Sequence, residues 1–248
     1  MAEIKISVVT VCKNEARTVE RTIKSVINQT FSDLEYIFID GQSSDGTLDI
    51  VKKYSDFCRI YSGPDAGIYD AMNRGIDAAK GDYIIFINAG DYLIHEDVLA
   101  KCAAVIEGGQ QADVFYGNLF YYNPLTGAGW MWRPMRRTRL TMFIECLPHP
   151  ATFFSRRAFA KNGLFDTSFQ IAGDYEWFVR GMEKNQLRYG HIDRIITLFY
   201  EGGVSTDRDH QHLLREEKKR IKKMHYSPLG RMLFSSGSFI SKNVKFLR

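Results

Sequence analysis

The 248-residue chain has no apolar run approaching the roughly 20 residues that a membrane-spanning helix needs. Its first residues, MAEIKISVVTVCKNE, lack the basic region, apolar region and small-residue cleavage site of a secretory signal peptide, so none is expected. The four cysteines, Cys12, Cys58, Cys102 and Cys146, lie far apart with no CxxC pair. That spacing argues against a zinc site or a disulfide framework and for a reducing compartment. No GxGxxG follows the first apolar run and no GxxxxGKS/T occurs, which makes a dinucleotide-binding fold or a P-loop ATPase unexpected. No internal repeat is found.

What is present is the composition of a soluble globular protein, 45% hydrophobic and 25% charged. The length suits one large domain or two small ones. The net charge of +4 is unevenly spread: residues 208–248 hold eleven Lys/Arg and three Asp/Glu, a net +8, so the preceding part carries −4. A mildly acidic body with a basic tail argues against a general nucleic-acid binder and for a tail that meets something anionic.

The first half alternates. IKISVVTVC (4–12), EYIFI (35–39), a short run at 58–61 and DYIIFI (82–87) predict buried strands. Between them, Val19, Ile23, Val26 and Ile27, then Leu48 and Val51, then Ile68, Met72, Ile76 and Ala79 recur at helical spacing. The βαβαβαβ order predicts a mostly parallel sheet flanked by helices, over residues 1–110. Beyond it, 98–106 predicts a helix, 113–117 and 151–155 strands, and 174–182 a helix. The aromatic, Gly- and Pro-containing segment 118–137 predicts a hairpin or a long loop.

Ligands of open parallel sheets bind beyond the carboxyl ends of the strands. Asn14 and Glu15, Asp40, Asp65, and Asn88 and Asp91 follow the four predicted strands in turn. Any one of them could be only a turn residue. Four in succession on one edge point to a polar site. A nucleotide diphosphate held without a glycine-rich cradle needs other neutralisation, and a divalent cation between a carboxylate and the phosphates supplies it. Asp91, in FINAGD, is the candidate ligand.

SVVTVCKNE, YIFIDGQSSDGT, DAGIYDAMNRGIDAAKGDYIIFINAGD and GDYEWFVRG, in this order, resemble a family 2 glycosyltransferase of GT-A fold, in the branch of bacterial colanic-acid, capsule and O-antigen transferases. The resemblance covers about the first two hundred residues. It implies a GT-A domain over 1–207, with a nucleotide-binding half (1–110) and an acceptor-binding half (111–207), followed by a basic amphipathic helical tail, 208–248. It further implies that Thr10, Asn14 and Glu15 border the nucleoside and that Asp40 reads the base, commonly uracil. By the same resemblance, Asp65, Asp70 and Asn73 line the sugar-diphosphate side, and Asn88 and Asp91 occupy the DxD region, where Mn2+ or Mg2+ binds. The sequence departs from the family there: the first acidic position is Asn88, and Gly90 stands where a second carboxylate is frequent. Asp45 matches a position that is more often structural, an acid near a helix start.

The attacking hydroxyl must lose a proton, and the resemblance assigns that base to Asp174, with Glu176 as the alternative. Asp174 would also suit the dipole of the helix it opens. A base across the sugar from the diphosphate implies inversion of the anomeric centre. His149 is a candidate for contact with acceptor or phosphates, or a loop residue. Tyr121, Trp130 and Trp132 could stack on sugar or fill a core, and Trp177 and Phe178 are expected in the core. In the tail, Leu229, Leu233, Ile240, Val244 and Leu247 fit one helical face, interrupted at 235–238, as in an interfacial helix. A tail packed on the body or on a second copy in a homodimer is the alternative. The expected enzyme is thus an inverting, metal-dependent transferase, cytoplasmic and peripheral on the inner membrane face. It would use a nucleotide-sugar donor, UDP-linked, and a polyprenyl-diphosphate-linked saccharide acceptor. The rivals are a sugar-nucleotide-forming nucleotidyltransferase, for which VCKNEART supplies little of the triphosphate loop, and a catalytically silent sugar-nucleotide binder.

Overall fold

A computed structural model of the chain describes residues 4–108, 111–200 and 211–235. The first half forms β1 (Ile6–Cys12), α1 (Val19–Ile27), β2 (Leu34–Asp40), α2 (Thr47–Lys52), β3 (Arg59–Ser62), α3 (Ile68–Ala78) and β4 (Tyr83–Phe86). All pairings among these strands are parallel, in the order β3-β2-β1-β4. β1 is buried along its whole length between β2 and β4, which is why it is nearly continuous in apolar and β-branched residues. From β1 the chain leaves through α1 to β2 on one side and returns through α3 to β4 on the other. The crevice where a ligand fits therefore opens at the carboxyl ends of β1 and β4.

The second half adds β5 (Tyr92–Leu93), α4 (Val98–Glu107), β6 (Val114–Tyr122), β7 (Gly129–Trp132), α5 (Arg139–Ile144), a 3-10 turn (His149–Ala151), β8 (Thr152–Ser155), α6 (Arg156–Asn162), α7 (Gly173–Glu183) and β9 (Tyr189–Tyr200). The sheet continues from β4 through β8, β6 and β9 to β5, with β8 antiparallel to both neighbours and β9 parallel to β6. The segment 118–137 resolves as a hairpin. β6 runs on to Tyr122 and pairs with β7, and the Asn123 carboxamide oxygen accepts from Leu125 N and Thr126 N to close the loop. β9, not anticipated from the sequence, slips register against β6 on both sides of Asn118. Next to that slip, a Cβ on Gly117 would lie 2.4 Å from Ile196 Cδ1, so only glycine lets the strands approach.

Aromatic packing joins α7 to the sheet: Trp177 and Phe178 are fully buried, and Trp177 meets Phe154 of β8 edge-on at 5.1 Å. In the C-terminal segment, α8 (Gln211–His225) packs on α7, and α9 (Pro228–Ser235) follows it. Ile221 and Tyr226 are buried in the same core as Trp177. Through these two residues the segment set apart as a tail contributes to the core of the body. Ile240, Val244 and Leu247, the rest of the expected amphipathic face, lie outside the described residues.

Candidate active site

A cleft of about 1000 Å³ opens at the carboxyl ends of β1 and β4. Glu15, Asp65, Asp70, Asn88 and Asp91 line one wall; His149 and Asp174 line the other. The turn Asn88–Asp91 is built for its place. Gly90 has φ +107, a conformation that L side chains avoid. α1 grips the turn from below: Gly90 N donates to Thr22 Oγ1 at 3.0 Å, and Thr22 Oγ1 donates to Asp91 O at 2.7 Å. Arg21 adds a bond from Nη2 to Gly90 O at 3.0 Å while its guanidinium lies 3.8 Å over the Tyr200 ring.

Asp91 is only 5% exposed. Burial pushes its carboxyl well above the usual range; the Tyr200 N–H and the Arg21 guanidinium pull it down, and Glu15 pushes it further up. A cation beside it would supply the charge compensation that this buried carboxyl lacks. A second oxygen is available close by in sequence, because Asn88 Oδ1 is buried without a partner among the described residues. One carboxylate and one carboxamide oxygen are hard donors that suit Mg2+ or Mn2+, with the remaining ligands supplied by phosphate and water. Among the described residues there is no cluster of three or more His, Cys, Asp or Glu that would hold an ion alone.

The opposite wall is assembled from distant segments. His149 Nδ1 lies 3.1 Å from Asp174 Oδ2, and its Nε2 lies 3.0 Å from Asn88 Nδ2. With the amide donating to Nε2, the imidazole is the Nδ1–H tautomer and donates to Asp174. The relay Asn88–His149–Asp174 therefore spans the cleft floor. Asp174 sits in the first turn of α7, where its Oδ1 accepts from Tyr175 N at 2.7 Å and lies 3.4 Å from Tyr69 Oη. Gly173 permits this: a Cβ there would stand 2.7 Å from the Tyr69 ring. Aromatic residues Tyr121, Trp132, Phe199 and Tyr200 form the rim, and Trp130 stacks on Tyr121 with centroids 4.4 Å apart.

Not every residue singled out in the sequence reaches the cleft. Thr10 is fully buried, donating from Oγ1 to Ile87 O at 2.7 Å, which ties β1 to the end of β4. Asp40 is fully buried as well; its carboxylate accepts from Ser43 N at 3.2 Å and from Ser62 Oγ at 2.6 Å. Asn14, at φ +57, accepts on Oδ1 from Ser44 N at 2.9 Å and so holds the same loop from the other side. Asn73 pairs reciprocally with the backbone of Phe165, at 2.9 and 3.0 Å. Asp45 accepts from Ala16 N and Thr47 N, a structural use. Glu176 points away from the cleft into Arg180 and His225, at 3.0 and 2.8 Å. Burial raises its carboxyl, but those two partners outweigh burial and hold it below the usual range. The cleft-lining Cys12 thiol is pushed up to about 12 by burial and by Asp40, so it offers no thiolate nucleophile.

Sequence reasoning missed Arg21, Tyr69, Glu217 and Lys218, which touch the cleft or its supports from helices. Only Arg21 and Tyr69 carried a signal, as a charge and an aromatic one turn into helices that face the switch point.

The chain matches the model of the family described as glycosyl transferase family 2 over residues 7–170. A PGL/p-HBAD biosynthesis glycosyltransferase of Mycobacterium bovis is 29% identical over 212 residues, spanning 83% of this chain and 80% of its own. A glycosyltransferase of Mycobacterium tuberculosis is 34% identical over 183 residues, spanning 71% and 68%. Among solved structures, S. aureus TarS 1–349 in complex with UDP-GlcNAc superposes with a TM-score of 0.73 at 19% identity, covering 99% of this chain and 74% of TarS 1–349. The mannosyltransferase PcManGT of Pyrobaculum calidifontis, in complex with GDP-Man and Mn2+, gives 0.64 at 15% identity, covering 91% and 64%. At these identities the structural likeness speaks for the fold, which is the expected GT-A arrangement.

Proposed function

The chain belongs to glycosyl transferase family 2, and on that premise we propose that it transfers a sugar, with inversion, from a nucleotide-diphosphate donor to a saccharide hydroxyl. The observation that supports this reading is the relay from Asn88 through His149 to Asp174, which links the candidate cation edge and the candidate base within one cleft. The nucleoside would enter along Glu15 and Asp65. Asp40 and Asn14 would shape its pocket through the 43–44 loop, with UDP as the favoured donor nucleotide. Asp65 can lie there because Gly41 has no Cβ; one would fall 2.1 Å from Asp65 Oδ2.

Asp91 and Asn88 Oδ1 would hold a divalent cation, whose charge would neutralise the departing diphosphate. Asp174 accepts the proton of the attacking hydroxyl as the new C–O bond forms. The bond from the anomeric carbon to the diphosphate oxygen breaks, and the diphosphate leaves with its electron pair. His149 orients Asp174 through Oδ2 and Tyr175 N holds Oδ1, so the carboxylate is fixed from both sides and the proton goes to a remaining lone pair on it. In-line displacement from the face opposite the leaving group inverts the anomeric centre, with no covalent sugar–enzyme intermediate.

For the acceptor we propose a saccharide on a polyprenyl diphosphate, reached from the cytoplasmic membrane face. Two features support this: the basic C-terminal segment, and Leu229 and Met232 of α9, 62% and 66% exposed. No helix among the described residues is long and apolar enough to cross a membrane. A thermal-shift screen of nucleotide sugars with and without Mn2+, followed by donor hydrolysis with the best binder, tests the reading. A Mn2+-dependent shift with a nucleotide sugar and slow release of nucleotide is the expected outcome. Binding without any turnover would support a silent sugar-nucleotide binder instead. Co-sedimentation with anionic vesicles, lost when residues after Tyr226 are removed, is expected of the membrane contact.

A further inference from the structure

Three successive backbone N–H groups just before α7 converge on one side chain from the C-terminal helix. Gln170 N donates to Glu217 Oε1 at 2.7 Å; Ile171 N and Ala172 N donate to Oε2 at 3.0 and 2.8 Å. Consecutive N–H groups aimed at one point form an anion-binding nest, filled here by a carboxylate that is 7% exposed and comes from 45 to 47 residues away. The same peptide stretch is held from its other side, where Ile171 O accepts from Tyr69 Oη at 2.6 Å. Asp174 follows Ala172 by two residues.

Glu217 does not line the cleft, whereas Leu214 and Lys218 on the same helix do. The path into the cleft is therefore clamped between α3, through Tyr69, and α8, through Glu217, with Asp174 projecting from the clamp toward His149. We infer that Glu217 is a positioning residue for transfer: it fixes the 170–172 backbone, so that Asp174 stands where an acceptor hydroxyl attacks. The basic C-terminal helix is then a working part of the catalytic unit. The inference rests on the reading of Asp174 as the base.

The test compares Glu217→Gln, Glu217→Asp, Asp174→Asn and the double variant Asp174→Asn/Glu217→Gln in the full chain. Turnover is read as nucleotide release from whichever of UDP-glucose, UDP-N-acetylglucosamine, UDP-galactose and GDP-mannose gives the largest thermal shift with Mn2+. Binding of the matching free nucleotide is measured alongside. Glutamine keeps one acceptor oxygen but turns an NH2 toward the nest, so Glu217→Gln should lower kcat about tenfold or more. KM and nucleotide affinity should stay within about twofold. Glu217→Asp, which keeps the charge, should recover part of the loss and carries the test if the glutamine variant does not fold.

The double variant should be no slower than Asp174→Asn alone, because Glu217 acts only through that carboxylate. A purely structural role would instead lower nucleotide binding in every variant and slow the double variant further; either result overturns the inference. So does a kcat for Glu217→Gln within twofold of the parent while Asp174→Asn is inactive. If Asp174→Asn itself keeps most of its turnover, the base assignment fails first, and the inference falls with it.

Discussion

The two walls of the cleft are built by opposite strategies. On the wall proposed to take the diphosphate, β1, β2 and β4 end side by side, and their ends are tied to one another and to adjacent elements: Asn14 to Ser44, Asp40 to Ser43 and to Ser62 of β3, and Gly90 to Thr22 of α1. On the other wall, Asp174, the proposed base, is held by His149, Tyr69 and, through its preceding backbone, Glu217, residues spread over 149 positions of sequence. The first wall is a sheet edge whose geometry follows from strand pairing. The second is a tertiary assembly in which a lesion far from the cleft can displace the reacting group. Damage to the first should show in nucleotide affinity, and damage to the second in turnover.

The largest effect that sharpens this contrast is expected from Asp174→Asn. Loss of the proton acceptor should cost about 10²–10⁴-fold in kcat while nucleotide affinity holds within about twofold. Steady-state kinetics beside calorimetric nucleotide titration checks it, and substantial residual turnover would move the base elsewhere.

A paired glycine test comes next. Gly173→Ala forces a Cβ to 2.7 Å from the Tyr69 ring, and Gly41→Ala forces one to 2.1 Å from Asp65 Oδ2. Overpacking against the buried Tyr69 ring costs about 1–3 kcal/mol, readable by urea denaturation, whereas the Asp65 carboxylate, at the end of a flexible side chain, swings aside at little cost in stability. Gly173→Ala should fall chiefly in kcat and Gly41→Ala chiefly in nucleotide affinity. The same kinetic signature from both would dissolve the distinction between the walls.

Asp91→Asn should act oppositely on function and stability. Burial raises the folded-state pKa of Asp91 above its unfolded value. The folded protein therefore binds the proton more tightly, and stability falls as pH rises from about 4 toward the raised value. An asparagine has no such cost. The variant should lose its Mn2+-dependent nucleotide binding yet, without metal, melt higher than the parent at pH 7. The gain should vanish below about pH 4. Melting curves from pH 3.5 to 8 settle it; a variant less stable at every pH would contradict the electrostatic account.

The smallest effect is expected at the rim. Trp130→Ala removes the stacked partner of Tyr121 and should cost about 0.5–1.5 kcal/mol in stability or acceptor affinity, with donor hydrolysis unchanged.

The two walls also differ in how far they can be read from sequence. β1, β2 and β4 are legible because strands buried on both faces read as continuous apolar runs. Asn88–Asp91 is legible because a glycine and polar residues stop such a run at the sheet edge. Asp174 was singled out through its GDYEWFVRG context, by resemblance to the family. Asp40, at the end of β2, and Asn73, in α3, were expected to face the nucleotide sugar, yet their side chains turn to Ser43 N and Ser62 Oγ and to the Phe165 backbone, a choice that residue type alone does not reveal. β9 was missed because His191, Asp193 and Arg194 interrupt its apolar pattern where the register slips against β6. Glu217 was unreadable in LLREEKKRIKKM, where an acid among bases looks like a solvated helix face; only the packing of α8 on α7 brings it to the nest at 170–172.

The most direct test of the central claim is a structure of the chain with Mn2+ and the nucleotide sugar selected by thermal shift. The account predicts a metal ion on the Asp91 carboxylate bridging the diphosphate. The anomeric carbon should lie in the cleft between that ion and Asp174, with the Asp174 carboxylate on the side opposite the leaving oxygen. A nucleotide seated elsewhere, or a sugar whose anomeric carbon faces away from Asp174, would contradict it.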